Sequence, residues 1–314
     1  MGHNHHHNHS HTHQITKDIR LAFFLNLSFA ILEIFGGLWT NSLAIVSDAV
    51  HDLGDSVSLG LAWYLEKYSH KKSDRAFSYG YRRLSSLAAL INTLILFIGS
   101  LYVISQAIPR ILNPEPTDAQ GMILFAILGV IVNGLAMIRL VKTSSLNARV
   151  VAWHLLEDAL GWVAVLLVSV VLLFTDFYIL DPLLSILIAV YILYNAIANL
   201  RQSLLLFLQA VPEDLDLHQL EQSIIALEKV NSLHHTHIWS LDGENHVLTT
   251  HVIVENDTTR DEIQGIKGAI RHLGEELNLE HITVEIEYLE EYCQMRDSEP
   301  EAESYHEHVH LSHE

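Results

Sequence analysis

The sequence predicts an α-helical membrane protein with six transmembrane helices and a C-terminal cytoplasmic α+β domain of the ferredoxin-like class. Half of the 314 residues are hydrophobic, and before residue 210 they form six apolar stretches near the ~20 residues that a membrane-spanning helix needs. After that point acidic residues and short alternating patterns indicate a globular domain. We therefore divide the chain into a His-rich cytoplasmic tail (1–15), a transmembrane domain (16–210), a cytoplasmic domain (211–292) and a disordered acidic, His-rich tail (293–314).

The six predicted spans cover residues 19–39, 43–65, 84–111, 119–141, 150–174 and 178–203. Polar residues interrupt the first, second and fifth spans. Lys and Arg concentrate in the loops after the second and fourth spans, whereas the loops at 40–42 and 175–177 contain neither. By the positive-inside rule both termini lie in the cytoplasm.

The cytoplasmic domain shows an α-β-β-α-β order, which is typical of small ferredoxin-like domains. The apolar spacing predicts helices at 213–229 and 258–277, and the second of these has Thr258 or Thr259 as a candidate N-cap. Alternation predicts strands at 233–241, 246–255 and 281–289. The Asp242-Gly243 pair between the first two strands is a hairpin signal.

Composition narrows the class of partner. The formal net charge is −19 and the chain has 22 His, so nothing supports a nucleic-acid partner. Acidic groups and His suit cations, although an acidic surface that only aids solubility remains an alternative. Cys293 is the single Cys, which excludes a disulfide framework and Cys-rich zinc sites. Seven His in the first thirteen residues indicate either a metal-buffering tail or an engineered tag, and not a signal peptide.

Two His-x-x-x-Asp motifs lie inside apolar segments: His51 with Asp55, and His154 with Asp158. Ionisable residues within a membrane span cost a few kcal/mol each. The i, i+4 spacing places each His on the same helix face as its Asp. Two such helices facing each other would offer two imidazoles and two carboxylates, a donor set that suits Zn²⁺.

Further polar residues accompany these pairs. Asp48 and Asp52 continue the stripe of the second span, and we expect them to orient a His or tune its proton affinity. Glu157 is expected to point away from the site, because neighbouring helical residues lie about 100° apart. A hydrogen-bond network that only holds the helices together is the alternative.

Four other polar residues in the spans are expected to serve helix packing: Asn26, Glu33, Asn92 and Asn133. The Gly36-Gly37 pair is expected to permit close helix approach. Residues 306–310 match the metalloprotease pattern H-E-x-x-H. That pattern needs a buried helix, and here it falls in the predicted disordered tail, so we reject it.

The cytoplasmic domain contains a second group of possible metal ligands. The first strand opens with His234, His235 and His237, and His251 lies in the second strand. Strand alternation places Glu285 and Glu287 on one face of the third strand, so both could reach a shared metal. Scattered surface residues are the alternative.

The chain resembles the cation diffusion facilitator family of zinc transporters over about residues 16–290. Four segments carry the resemblance: NSLAIVSDAVHDLGDS, FSYGYRRLSSLAALIN, HLLEDALGWV and HHTHIWSLDG. It implies a homodimer that exports Zn²⁺, with Cd²⁺, Co²⁺ and Ni²⁺ as further candidate cargoes, in exchange for protons. The compact chain without long luminal loops favours a bacterial inner membrane. The resemblance also implies a transport site of His51, Asp55, His154 and Asp158.

In the cytoplasmic domain the resemblance implies Zn²⁺ ligands at His234, His251, His281 and Glu287. Some members carry His ligands in the loop between the second and third spans, where this chain has Phe77 and Tyr81; no site is expected there. A membrane metalloenzyme and a metal sensor are the alternatives. The first lacks an open coordination position and a nucleophile motif, and six spans are excessive for the anchor of the second.

Overall fold

The computed structural model of the protein describes residues 9–69, 73–141 and 146–295. Most of the N-terminal His-rich tail and the whole segment from residue 296, with its metalloprotease-like pattern, lie outside the described residues. The chain divides into two compact units, Met1–Ser203 and Leu204–Glu314.

The first unit is helical, and its helices fall at the positions of the six predicted spans. They are α1 (His9–Thr40), α2 (Leu43–Ser69), α3 (Arg83–Leu112), α4 (Ala119–Val141), α5 (Leu146–Phe174) and α6 (Leu180–Phe207). Five of them, all except α2, are long and apolar enough to cross a membrane. Helix α2 is equally long, but three Asp residues make it less apolar.

Helix α2 packs against α1, α3 and α5, and α4 pairs extensively with α5 and also contacts α1. The Gly36-Gly37 pair allows the close approach predicted for it. A Cβ atom at Gly36 would lie 2.6 Å from the Phe125 ring of α4, and one at Gly37 would lie 2.6 Å from the Val46 side chain of α2. Larger residues at these two positions would push α1 away from its neighbours.

The first turn of α2 is fixed by Asp181, a fully buried residue at the start of α6. Its carboxylate accepts hydrogen bonds from the Leu43 and Ala44 backbone amides, at 2.8 and 3.3 Å, and from the Ser42 hydroxyl at 2.5 Å. A helix N-terminus leaves such amides without intrahelical partners. Asp181 therefore sets the position of α2 relative to α6.

The second unit contains α7 (Leu217–Ile225), β1 (Val230–Ser240), β2 (His246–Val254), α8 (Arg260–Glu276) and β3 (Leu279–Tyr288). Strands β1 and β2 are antiparallel, and β2 and β3 are parallel. The predicted α-β-β-α-β order is confirmed. Within the described residues the sheet has three strands, one fewer than a complete ferredoxin-like sheet.

Local signals set the bounds of these elements. Gly243 has a φ of +101° in the hairpin loop, where glycine is favoured. The Asp242 side chain accepts hydrogen bonds from two later backbone amides of the same loop. Thr259 caps α8 in a capping box with Glu262. The core lies between the sheet and the two helices, and it includes Ile224, Leu248, Val252, Ile266 and Ile270.

Candidate functional site

The two His-x-x-x-Asp motifs of the membrane unit converge between α2 and α5. His154 Nε2 lies 2.7 Å from Asp55 Oδ2, and His51 Nε2 lies 3.6 Å from Asp158 Oδ1. Within each helix, the His51–Asp55 and His154–Asp158 separations are 3.9 and 3.7 Å. Each imidazole therefore approaches the carboxylates of both helices.

The spacing of these donor atoms is suited to one divalent ion. A tetrahedral zinc site with bonds of about 2.0–2.1 Å holds its donor atoms roughly 3.3 Å apart. The four separations between an imidazole and a carboxylate, 2.7 to 3.9 Å, bracket that value. One ligand atom each from His51, Asp55 and His154 lies within 4.8 Å of the other two. Asp158 is not a member of this group of three, but its carboxylate lies within 3.7 Å of both imidazoles.

The four side chains line a cavity of about 460 Å³. Their exposed fractions run from 11% for Asp158 to 40% for His154. Three asparagines also line the cavity, Asn92 of α3 and Asn195 and Asn199 of α6. A hydrated ion could therefore meet polar groups before it reaches the imidazoles.

Glu157 also lines this cavity, which contradicts the expectation that it points away. The expectation compared Glu157 only with its neighbour Asp158. His154 lies three positions before Glu157, and residues at i and i+3 share a helix face. The cavity is also wide enough to include side chains on both sides of the His154–Asp158 stripe.

Asp48 and Asp52 take different positions. Asp48 lines the cavity, whereas Asp52 is buried outside its lining. The Asp52 backbone carbonyl accepts a hydrogen bond of 2.9 Å from the Asn26 side chain of α1, so Asn26 serves helix packing as predicted. His51 Nδ1 is buried without a hydrogen-bond partner. Neither carboxylate therefore orients His51 through Nδ1.

A second cluster lies in the unit Leu204–Glu314, which we call the cytoplasmic unit after the location predicted from the sequence. It is formed by His234, His251, Glu287 and Cys293. One ligand atom from each lies within 4.8 Å of the other three. His251 Nδ1 is 2.6 Å from Glu287 Oε1, and His234 Nε2 is 3.4 Å from both Glu287 Oε1 and Cys293 Sγ. Two imidazoles, a carboxylate and a thiol form a donor set that fits a resident Zn²⁺.

The sheet positions three of these residues. His234 and His251 are direct partners across β1 and β2, so their side chains leave the same face. The β1 register shifts between His234 and His237, and His235 adopts a φ of +52°. Such a bulge changes the direction of the side chains beside it. Glu287 lies on β3 with its side chain buried.

Cys293 was missed as a candidate ligand by the sequence reasoning, which used it only to exclude other frameworks. A turn after β3, with the Glu291 amide donating to the Tyr288 carbonyl at 2.9 Å, precedes Cys293 and lets the chain return to the sheet. No periodic pattern marks this loop. The only available signal was that the single Cys follows shortly after a strand that carries acidic residues.

His281 is not brought into this cluster. His281 lies on β3 opposite Val247 of β2, whereas Glu285 of β3 lies opposite His251 of β2. Six residues of strand separate His281 from Glu287, which corresponds to roughly 20 Å. Glu285 is at the edge of the cluster, with Oε2 3.4 Å from His251 Nε2.

Comparison with known proteins matches both units. Residues 19–208 match the profile of the cation efflux transmembrane domain, and residues 212–289 match that of the cation efflux protein cytoplasmic domain. The chain is 32% identical, over 91% of its length and 92% of the relative, to the cadmium, cobalt and zinc/H(+)-K(+) antiporter of Bacillus subtilis. It is 31% identical to the zinc transporter ZitB of Escherichia coli, with 92% and 93% coverage.

A third relative is the metal cation efflux system protein CzcD of Cupriavidus metallidurans, at 33% identity with 86% of each chain covered. Among solved structures, the metal-bound C-terminal domain of the CzcD transporter from the same organism is 29% identical. That match covers 23% of this chain and 99% of the domain, with a TM-score of 0.21.

Proposed function

The chain belongs to the cation diffusion facilitator family, and from this membership we propose that it is a zinc/proton antiporter that exports divalent cations from the cytoplasm. The observation that carries the proposal is the convergence of the two His-x-x-x-Asp motifs on one cavity between α2 and α5. The names of its relatives include zinc, cadmium and cobalt. They support Zn²⁺ as cargo, with Cd²⁺ and Co²⁺ as further cargoes. Ni²⁺ is a further proposed cargo because imidazole also suits nickel.

The donor set supports this choice of cargo. Imidazole suits zinc and its neighbours among the transition metals, whereas Mg²⁺ and Ca²⁺ prefer sites made of oxygen alone. Two imidazoles with two carboxylates also balance the two charges of the ion. His51, Asp55, His154 and Asp158 are the proposed ligands of the transported ion.

We propose that α2 crosses the membrane together with the five more apolar helices. Its carboxylates are directed at the cavity or at α1, and polar side chains inside a bilayer are tolerated when they face protein or a water-filled space. We also propose that the protein lies in a bacterial inner membrane with both termini in the cytoplasm. An even number of spans and the concentration of Lys and Arg in the loops on one side support this orientation.

Proton exchange follows from the hydrogen bonding of the site. The 2.7 Å contact between His154 Nε2 and Asp55 Oδ2 requires a proton on one of the two atoms. An imidazole nitrogen and a carboxylate bind metal only without that proton. Zinc entry therefore releases a proton, and zinc release on the opposite side allows another to bind.

Neither alternative class explains the cavity as well. A metalloenzyme needs a coordination position that remains open to substrate, and four protein ligands leave none, so we propose no catalytic residue. A sensor would not need ionisable groups at the centre of a helical membrane unit. Membership of a family of transporters supports the same choice.

In the cytoplasmic unit we propose that His234, His251, Glu287 and Cys293 hold a resident Zn²⁺. Its role there would be structural, since four protein donors close the coordination sphere. We also propose that the protein is a homodimer in the lipid bilayer, which the match to the cytoplasmic dimer domain of cation efflux proteins supports.

The test is zinc flux into sealed proteoliposomes that contain a zinc-sensitive dye. Asp55→Ala and Asp158→Ala each remove a proposed ligand, and zinc uptake is expected to fall to the level of protein-free vesicles. Asp176→Ala is the matched control, because Asp176 is exposed in the loop before α6. Undiminished zinc uptake by either ligand variant would contradict the proposed function.

A further inference from the structure

Glu33 is a carboxyl group in the membrane unit that the transport site does not use. It lies on α1, seven residues before the C-terminal end of the helix, and has no exposed surface. Its carboxyl group lies beside the carboxyl group of Asp52 on α2, but neither Glu33 oxygen makes a hydrogen bond of ordinary geometry within the described residues. Helix packing, the role expected from the sequence, would normally give such a side chain a hydrogen-bond partner.

The charges that act on Glu33 come from other carboxylates. Asp48 and Asp52 on α2 interact with it most strongly, followed by Asp158 on α5. The neighbouring helix α4 has a single charged residue, Arg139, in its last turn. Phe125 is level with Gly36, three residues from Glu33 on the antiparallel α1, so Arg139 lies roughly 17 Å along the helix axis from the level of Glu33.

Glu33 and the cavity share two neighbours. Asp48 and Asp158 line the cavity, and their charges also act on Glu33. A change of charge among the metal ligands therefore reaches Glu33 over a short, poorly screened distance, because electrostatic interactions are strong in a buried site.

An ionised carboxylate without a hydrogen bond or a cation is very costly to bury. Three carboxyl groups that face one another cannot all be ionised at once, so at least one of them carries a proton. Glu33 is the most buried of the three. It is also the only one of the three without a favourable charge interaction with His51. Glu33 is therefore the group that holds the proton while no metal is bound.

We propose that Glu33 is a proton-carrying group of the exchange cycle, separate from the metal ligands. It holds a proton when the transport site is free of metal and releases that proton to the cavity when a divalent cation binds. The two positive charges of the ion then stabilise the Glu33 carboxylate. When the ion leaves, Glu33 takes up a proton from the opposite side. The proposal rests on the antiport proposed above.

The first test measures the zinc affinity of the membrane site in the purified full-length protein between pH 6 and pH 8, taken as the part of the binding that Asp55→Ala abolishes. The slope of log affinity against pH gives the number of protons released per zinc ion bound. Glu33→Gln is expected to lower this number by about one relative to the wild type. Glu115→Gln makes the same chemical change at an exposed loop position and is expected to keep the wild-type slope.

The outcomes separate the two proposals. A wild-type protein with no slope would overturn antiport, and Glu33's role with it. A wild-type slope that Glu33→Gln leaves unchanged would overturn only the role of Glu33. A loss of affinity that is equal at every pH would do the same, because it would show a structural role.

A second measurement remains decisive if Glu33→Gln does not fold. The infrared difference spectrum of the wild type with and without Zn²⁺ is expected to show the loss of a protonated-carboxyl band. Glu33→Asp keeps an acid at this position, and the lost band is expected to shift in frequency. The absence of such a band in the wild type, or an unshifted band in Glu33→Asp, would contradict the proposal.

Discussion

The membrane unit and the cytoplasmic unit each gather two imidazoles and at least one carboxylate, but on different backbone frames. In the membrane unit two helices each contribute one His and one Asp, and the side chains are 11–40% exposed. In the cytoplasmic unit three ligands lie on adjacent strands of one sheet, where the His234 and Glu287 side chains are 6% and 4% exposed. Hydrogen-bonded strands hold their side chains at fixed separations, whereas two helices can move apart.

The donor atoms of the two sites also differ, and the difference again favours a more firmly held ion in the cytoplasmic unit. The cytoplasmic cluster includes the Cys293 thiol, and thiolates bind zinc more tightly than carboxylates do. The membrane site uses only nitrogen and oxygen donors, and its ligands can exchange metal for protons. We therefore expect the cytoplasmic cluster to retain its ion and the membrane site to release it.

The largest expected effect is at the membrane site. His154→Ala removes an imidazole that contacts the carboxylates of both helices. Changes to residues that only support a ligand cost 10–100-fold in metal affinity, so the loss of the ligand itself is expected to cost more than about 100-fold. Zinc flux and zinc titration measure it. His272→Ala, an exposed His on α8, should behave as the wild type; equal losses in both variants would contradict the assignment.

A smaller effect is expected at the cytoplasmic cluster. Cys293→Ser replaces one ligand atom by a weaker donor of similar shape, and the affinity of this cluster for Zn²⁺ is expected to fall by more than about tenfold. The measurement is competition with a chelating dye in the Asp55→Ala background, which disables the membrane site. Transport by Cys293→Ser in the otherwise wild-type chain should continue. An unchanged affinity would show that the thiol is not a ligand.

The smallest of the three effects tests whether the membrane site depends on helix position. Asp181→Ala leaves the Leu43 and Ala44 amides and the Ser42 hydroxyl without their acceptor, which is expected to cost about 1–3 kcal/mol of unfolding free energy. Thermal unfolding and flux should both fall, with the cytoplasmic cluster's affinity unchanged. Asp176→Ala is again the control. Wild-type flux in Asp181→Ala would argue against this dependence.

Local chemistry explains why much of the fold could be predicted. The hairpin at Asp242-Gly243 and the cap at Thr259 depend on residues a few positions apart. The i, i+4 spacing likewise fixes His51 and Asp55 on one face of α2 before any packing is known. The pairing of α2 with α5 came from matching two similar motifs, and the structure brings them together.

The features that could not be predicted depend on contacts between distant segments. Cys293 reaches the cytoplasmic cluster through an irregular turn, and His281 is excluded from it by the register of a parallel strand. Glu157 lines the cavity because the cavity is wide enough to include side chains on both sides of the His154–Asp158 stripe. The isolation of Glu33 depends on which side chains of α2 and α4 lie beside it, and sequence periodicity does not determine that.

The most direct test of antiport uses sealed proteoliposomes with equal Zn²⁺ concentrations inside and outside and an acidic interior. Protons leaving down their gradient should drive zinc inward, so wild-type vesicles are expected to accumulate zinc until a protonophore collapses the gradient. Asp55→Ala vesicles should accumulate none. Wild-type vesicles in which zinc only equilibrates, with or without the pH gradient, would contradict the proposed exchange.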